Sequence, residues 1–549
     1  MPADPPGSTP ADRTTRVLIV GAGPAGLVLA CELARRGIPH LLVEQDTSHF
    51  AGARGKGLQP RTQEVFEDLG VLDRVRALGG PYPALRAYRD GQVVWEGRMD
   101  EVRQPTPDVP HPNSWMLPQW RTGEILRERL AELGGAVELG TAFVSFAQDA
   151  DGVTAVLRQG GRDQRVRADY LVGTDGGRSA VRRALGVGFA GETREEQRML
   201  VADVRAEGVD RDHWHTWPNG GSGPAALPPA LCPLAGTDTF QLVQPLPPGG
   251  PAPEPTLRLL QQLLDRAAGP GRVRLTELVW SSLFRANIRM AERFRVGRVL
   301  LAGDAAHVHS PAGGQGLNTG VQDAYNLGWK LAAVIGGAGD GLLDSYEQER
   351  LPVAAAVLGI STRLHDKGVA GDQDAHRRDD PRLQQLGLGY RGGPLSRELR
   401  ARPGAVRAGD RAPDAPGLDP QGRPVRLFEL FAGVHATLLA FGAVAARQAA
   451  ELAAGPGAGS LRVVAVLGAG EQAPTGADGF TDAGGHARRG YLQDQGEPRE
   501  QGEPGAQLLL VRPDGYLGLA LDAGDKAVQQ VRDYLGGVLG LSGPPAAGV

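Results

Sequence analysis

The stretch "VLIVGAGPAGLVLACELARRG", from Val17 to Gly37, constrains the fold more than any other. An apolar run stops at Gly21, Gly23 and Gly26 in the spacing G-x-G-x-x-G, a helical run follows, and "HLLVE" then returns as a second strand. That order is a βαβ unit and demands parallel strands. The first glycine permits the tight turn, the second lets a pyrophosphate approach the backbone, and the third lets helix and strand pack closely. Glu44 ends the second strand about 20 residues on, where a carboxylate would accept hydrogen bonds from adenosine hydroxyls and repel a 2′-phosphate. The candidate dinucleotide contacts here are Gly21, Gly23, Pro24, Ala25, Gly26, Glu44 and Gln45. The motif leaves NAD and FAD both open.

A second glycine-rich stretch, "GRVLLAGDAAHVHSPAGGQGLNTGVQDAYNLGWKLA", begins at Gly297. His307 and His309 are two apart, but no nearby Cys, Asp or Glu completes a credible metal set. A second nucleotide fold would need the glycines directly after a strand, and here a loop with Pro311 intervenes. What remains is a strand ending at Asp304, an irregular loop, and a helix starting near Leu317 and Asn318 whose free N–H groups and dipole favour an electron-rich partner. If the first motif holds the adenosine end of FAD, Asp304 meets its ribitol and this loop its ring. Apolar or small residues at Val321, Ala324, Tyr325, Gly328 and Ala332 predict one packed helix face.

With 549 residues the chain is too long for one core, so roughly two to four domains are expected. Hydrophobic residues at 41% and charged residues at 22% fit a globular protein, and a net charge of -4 gives no reason to bind nucleic acid or an anionic membrane. No run approaches the roughly 18 apolar residues of a membrane span. Two cysteines, Cys31 and Cys232, form no CxxC pair, which suits a cytoplasmic location. The N-terminal "MPADPPGSTPADRTT" is expected to be a loose tail, not a secretory signal.

The expected architecture is α/β: a Rossmann-like FAD-binding domain with an inserted α+β substrate domain, followed by a third domain. Residues 14–186 form the first part of the FAD domain with some substrate-domain strands, 187–285 the middle domain, 286–395 the return segment with its helices, and 400–549 the C-terminal domain. "TFQLVQPLPP" and "RLTELVWSSLF" suggest antiparallel strands in the middle, and the segment from Tyr390 to Pro424 reads as a linker. The polar repeat "QDQGEPREQGEPG" is expected to be an exposed loop. "VVAVLGAGEQAPTG" mimics G-x-G-x-x-A at Gly468, Gly470 and Ala473, but Pro474 and the lack of a ribose acid argue for a loop.

The two glycine stretches, together with "YLVGTDGGRSAVRRALG" between them, resemble the flavoprotein aromatic hydroxylases of the para-hydroxybenzoate and phenol hydroxylase type, from Arg16 to about Leu364. "GDRAPDAP", "VRLFEL" and "LLLVRPDGYLGLAL" are similar to the C-terminal thioredoxin-like domain of the bacterial polyketide-oxidising branch, here without any cysteine. The resemblance implies that Arg54 and Gln119 contact the pyrophosphate and ribityl region of FAD. It implies that Asp175 and Gly176 serve FAD and NAD(P)H handling, with Arg178 supporting their turn. Pro311, Gly314, Gly316, Leu317 and Asn318 match the loop beside the flavin ring, the last two as backbone donors.

It also implies an activity. NAD(P)H is the transient reductant, O2 the oxidant, and a flavin C4a-hydroperoxide hydroxylates a small aromatic substrate, phenolic or polyketide-like, in a monomer or homodimer. His213, His215, Trp214, Trp217, Trp280, Phe284 and Arg289 lie in or beside the middle domain, but none is identified as a catalytic base. Another flavoenzyme, a reductase or a halogenase, remains open, although no Trp-x-Trp-x-Ile-Pro signature is found. So does a non-catalytic flavin-binding partner protein.

Overall fold

The computed structural model describes residues 13–218, 229–246, 253–310, 313–369, 377–378, 380–453, 458–493 and 505–541. Its first sheet carries the N-terminal glycine turn. The strands run in the order Arg295–Val296, Val299–Leu301, Arg162–Gly173, Arg13–Val20, His40–Val43 and Val137–Glu138, with the antiparallel strands Val153–Gln159 and Thr141–Gln148 branching off. Val17, Leu18 and Ile19 are completely buried, as a central parallel strand covered on both faces requires. The tail expected through Thr15 ends earlier: Arg13, Thr14 and Thr15 already pair with Val166, Arg167 and Ala168.

The register of this sheet has the consequence that matters most. Strands Arg13–Val20, Arg162–Gly173 and Val299–Leu301 are parallel, with Val20 beside Gly173 and Gly173 beside Leu301. Their carboxyl ends therefore open on one edge, the place where open α/β sheets bind ligands. Gly21, Asp175 and Asp304 leave the sheet there together.

The second sheet has eight strands, in the order His307–Val308, Arg274–Ala291, Phe189–Glu207, Phe240–Pro245, Ala230–Pro233, His213–Thr216, Ala84–Arg89 and Gln92–Gly97. Helix Leu257–Ala268 covers one face, packing Leu260 and Leu264 on Leu200, Ala202 and Leu242. Strand Arg274–Ala291 runs unbroken past residue 285, and two of the sheet's strands come from before residue 100, so pairing crosses the boundaries that composition suggests.

Helix Gly316–Ile335 starts at the binding edge and is buried on nearly all sides, not along one face. Helix Pro24–Ala34 flanks it on one side, while the C-terminal region closes over Trp329 on another. That region is a third eight-stranded sheet in which Ala436–Phe441, Leu461–Leu467 and Asp478–Thr481 are parallel and Gln507–Val511 and Leu517–Asp522 complete an antiparallel hairpin. The expected linker 390–424 supplies short strands to it, Arg397–Glu398 at one edge and Pro416–Leu418 next to the edge strand Pro424–Arg426 at the other. Gly468 to Ala473 joins two of its parallel strands as a loop. Of the polar repeat expected as an exposed loop, residues 494–504 lie outside the described residues.

Candidate functional site

Each glycine of the first motif has a distinct physical reason to be glycine. At Gly21, φ is +104° and an added Cβ would fall 2.6 Å from the Thr174 carbonyl oxygen; at Gly26 it would fall 2.0 Å from that of Gly21. At Gly23 nothing lies within 4 Å. Two glycines are thus explained by protein packing and the third by open space at the start of helix Pro24–Ala34, where a pyrophosphate could rest on free N–H groups. Pro24 opens the helix at a position where its missing N–H costs nothing. Glu44 reaches back to this turn, accepting the Ala22 N–H at 2.9 Å, while the adjoining Gln45 is exposed.

The second motif meets the first here. An added Cβ at Gly303 would lie 3.1 Å from the Ala25 Cβ, and one at Gly320 would lie 3.1 Å from the Gly303 Cα. Asp304 follows at once. Its side chain is exposed, yet its carboxyl is raised by burial among protein atoms, with His307 and Arg54 pulling it back; together these describe a carboxylate in an open recess.

Behind it, the fully buried Asp323 carboxylate accepts the Gly303 N–H at 3.2 Å, His307 Nε2 at 2.6 Å and Arg350 Nε at 2.7 Å. Burial alone would raise Asp323, but His307 and Arg350 hold it down at about 2. His307 Nδ1 also meets His309 Nε2 at 2.9 Å, so the two histidines form one chain that braces the Asp304 turn. Burial and the facing His307 keep His309 neutral, well below the usual imidazole range.

The loop from Gly52 to Gln59 is clamped to the helix Gly316–Ile335. Asn318 donates to the Gly57 carbonyl at 2.9 Å and to that of Gly314 at 2.7 Å, and its Oδ1 accepts the Gln59 N–H at 2.8 Å. Its side chain is therefore a strut, a role the sequence reading did not give it. Gln119, first residue of helix Gln119–Glu132, accepts the Gly55 N–H at 3.0 Å, and Leu317 lies 3.3 Å from where a Gly55 Cβ would be. Gly316 is the first helical residue, Gly314 takes φ of +63°, and Pro311 lies outside the described residues.

Asp175 differs from the expectation. Its carboxylate accepts the Ser179 hydroxyl at 2.5 Å and the Ala180 and Val181 N–H groups, capping helix Ala180–Leu185. The oxygens that the resemblance would lend to a cofactor are engaged by a helix start. What faces the glycine turn is its backbone, with the Asp175 Cα 2.7 Å from a Gly21 Cβ position; Gly176 makes the turn at φ +77°.

The same loop covers the bare face of the second sheet. Met199, Val201 and Asp203 stand opposite Phe284, Ser282 and Trp280, and Gln241 stands beside Asp203. A Gly52 Cβ would strike the Trp280 indole at 2.3 Å, the Ala53 N–H reaches Asp203 Oδ2 at 2.8 Å, and the Arg54 guanidinium lies over Phe50 and Trp280 at 5.4 and 5.8 Å. Trp214 shares this side, stacked on Tyr82. Trp217 and His215 belong to the other face, against Tyr88, while His213 pairs with Asp210 and Arg289 donates to the Phe189 carbonyl of the neighbouring strand. Burial pushes the Asp203 carboxyl up to about 6. Lys56, Asp203 and Gln241 escaped the sequence reading; a charged residue within the apolar run "MLVADV" was the available signal.

Beside this loop opens a cavity of about 540 Å3, lined by Phe50, Trp120, Arg127, Asp203 and Val279 among others. A second, of about 430 Å3, lies among Gln148, Arg295 and Asp340, where Arg295 and Asp340 pair with each other; it touches Gly297 and Arg298, ahead of the strand, and none of the residues from Asp304 to Asn318.

Open glycine, recessed carboxylate and helix start thus line one edge, as a long dinucleotide requires. Comparison with known proteins agrees. Residues 14–361 match the FAD binding domain family. A flavin-dependent monooxygenase of Mycobacteroides abscessus is 44% identical over 95% of this chain and 100% of its own. The 6-methylpretetramide 4-monooxygenase of Streptomyces rimosus is 42% identical over 63% of this chain and 61% of its own. Among solved structures, aklavinone-11 hydroxylase with FAD and aklavinone has a TM-score of 0.80 at 30% identity, covering 96% of this chain and 99% of that one. The edge on which two distant glycine stretches converge is therefore that of a flavoprotein, and the chain belongs to the FAD-dependent monooxygenases.

Proposed function

We propose that this monooxygenase hydroxylates a polycyclic, phenolic substrate held on the bare face of the second sheet, with NAD(P)H as reductant and O2 as oxidant. The observation that carries the reading is the Ala53–Gly57 loop, clamped to the cofactor edge by Asn318 and Gln119 while its other side covers a sheet face bearing Trp214, Trp280 and Phe284. Relatives acting on tetracycline precursors and rifampicin support a large fused-ring substrate.

FAD, when bound, supplies the redox chemistry and the activation of oxygen. The chain does the rest. Gly21, Gly23 and Ala25 shape the pyrophosphate cradle, Glu44 the adenosine end, and Asp304 the recess for the ribityl hydroxyls. The N–H groups at Leu317 and Asn318, in the first turn of helix Gly316–Ile335, would offer a positive dipole end to the ring and favour negative charge there. Arg54, exposed beside Asp304, bridges from the cofactor edge to Ser282 on the substrate face. No side chain is assigned as a base.

The third unit, with its strand-helix-strand and closing hairpin, we read as thioredoxin-like and structural, and the chain as cytoplasmic. Both cysteines are buried and burial raises their thiols, which suits a protein without redox thiol chemistry. Among the described residues no helix is long and apolar enough to cross a membrane.

The test is a screen of fused-ring phenols against the yellow holoenzyme. Substrate-stimulated NAD(P)H oxidation, matched oxygen uptake and a product heavier by one oxygen support the reading. Reduction without oxygen insertion across the whole panel overturns it.

A further inference from the structure

Lys56 projects from the loop that the cofactor edge holds in place. Its backbone neighbours Gly55 and Gly57 are bonded to Gln119 and Asn318, and its own carbonyl accepts the Leu117 N–H at 2.9 Å. Its side chain crosses to the opposite wall, the aromatic sheet face. There the ammonium stands 4.4 Å from the centre of the Trp214 ring and donates to Gln241 Oε1. Gln241 is buried and fixed in turn, its amide nitrogen donating to the Ala53 carbonyl. Trp214 is stacked on Tyr82, with ring centroids 6.4 Å apart.

A half-buried ammonium has three donors and pays for lost water unless an acceptor replaces it. Gln241 takes one. Asp203 feels the charge of Lys56, but its Oδ2 accepts the Ala53 N–H and no ion pair joins it to Lys56 among the described residues. The wall thus presents an oriented cation with spare donors beside two stacked rings.

We propose that Lys56 is the substrate anchor of the reaction proposed above, binding an ionised phenolic or enolic oxygen of a flat aromatic substrate. The inference rests on that reading for the location of the substrate. A charge-assisted hydrogen bond from Lys56 would select the anion over a neutral analogue of the same shape. Ionisation would also raise electron density on the ring carbons ortho and para to that oxygen, the carbons a hydroxylase attacks.

The experiment measures equilibrium binding to the oxidised, FAD-loaded full chain without reductant. The probes are 2-hydroxy-1,4-naphthoquinone, ionised at neutral pH, and its neutral ether 2-methoxy-1,4-naphthoquinone. The wild type is expected to prefer the anion by about tenfold, the worth of one charge-assisted hydrogen bond. K56M should abolish the preference by weakening the anion while leaving ether affinity within about twofold, and K56R should restore part of it. Equal affinity of the wild type for both probes, binding of neither, or an undiminished preference in K56M would overturn the proposal; the wild-type comparison stands even if a variant fails to fold. Because binding is read without turnover, the two readings fail separately. A chain that inserts oxygen yet ignores probe charge loses the anchor and keeps the reaction, and one that discriminates without inserting oxygen does the reverse.

Discussion

Arg512 donates two hydrogen bonds to Glu349, at 2.6 and 3.0 Å, joining the third sheet to helix Asp344–Val369 with both side chains fully buried. Lys330 and Asp514 complete the cluster, Lys330 donating to Glu349 at 2.7 Å and Asp514 accepting from Arg512. Burial would raise Glu349, but Arg512 and Lys330 bring it to about 2. Removing one partner strands the others away from water. Arg512→Ala is therefore expected to cost about 3–5 kcal/mol, read as a shifted denaturation midpoint.

The glycine turn gives a sharper contrast. Gly23→Ala enters open space and should leave the apoprotein's melting temperature unchanged while weakening FAD by at least about tenfold, measured by titrating FAD into apoprotein. Gly26→Ala drives a methyl into the Gly21 carbonyl and should cost at least ~2 kcal/mol with or without FAD. Equal behaviour of the two would count against the cradle.

Asp304→Ala should fold normally, since the side chain is exposed and its loss leaves no buried group unsatisfied. Circular dichroism should match the wild type while the purified protein loses most of its yellow absorbance. Full flavin occupancy would remove Asp304 from the site.

Asp203 predicts a pH-dependent stability. Its carboxyl is raised to about 6 in the fold, so the native state holds the proton more tightly than the unfolded chain. Stability then falls as pH rises from about 4 to about 6 and stays lowered above that. Asp203→Asn should recover on the order of 2 kcal/mol at pH 8 and little at pH 4, judged by denaturation at the two pH values.

The parts legible in the sequence were those whose physics is local. Gly21 and Gly26 announce a tight turn and close packing wherever they occur after a strand, and Asp304 stood out as a carboxylate between a buried strand and a helix start. The parts that were not legible depend on register between distant segments. Lys56 gains meaning only because Phe240–Pro245 places Gln241 beside it, and Asn318 only because the loop near Gly57 returns to it. Asp175 carries a family motif in its letters but a helix cap in its hydrogen bonds, a distinction that only geometry can make. The packed face read at Val321, Ala324, Tyr325 and Gly328 is buried, but burial of the helix's other sides was not legible, because the second covering layer arrives from residue 395 onward.

That helix, Gly316–Ile335, begins at the cofactor edge and ends under the third sheet, where Trp329 and Lys330 are enclosed. The two ends share one rigid rod of backbone. A weaker grip of the last sheet on Trp329 and Lys330 would therefore free the far end of the same helix whose first turn stands at the cofactor edge.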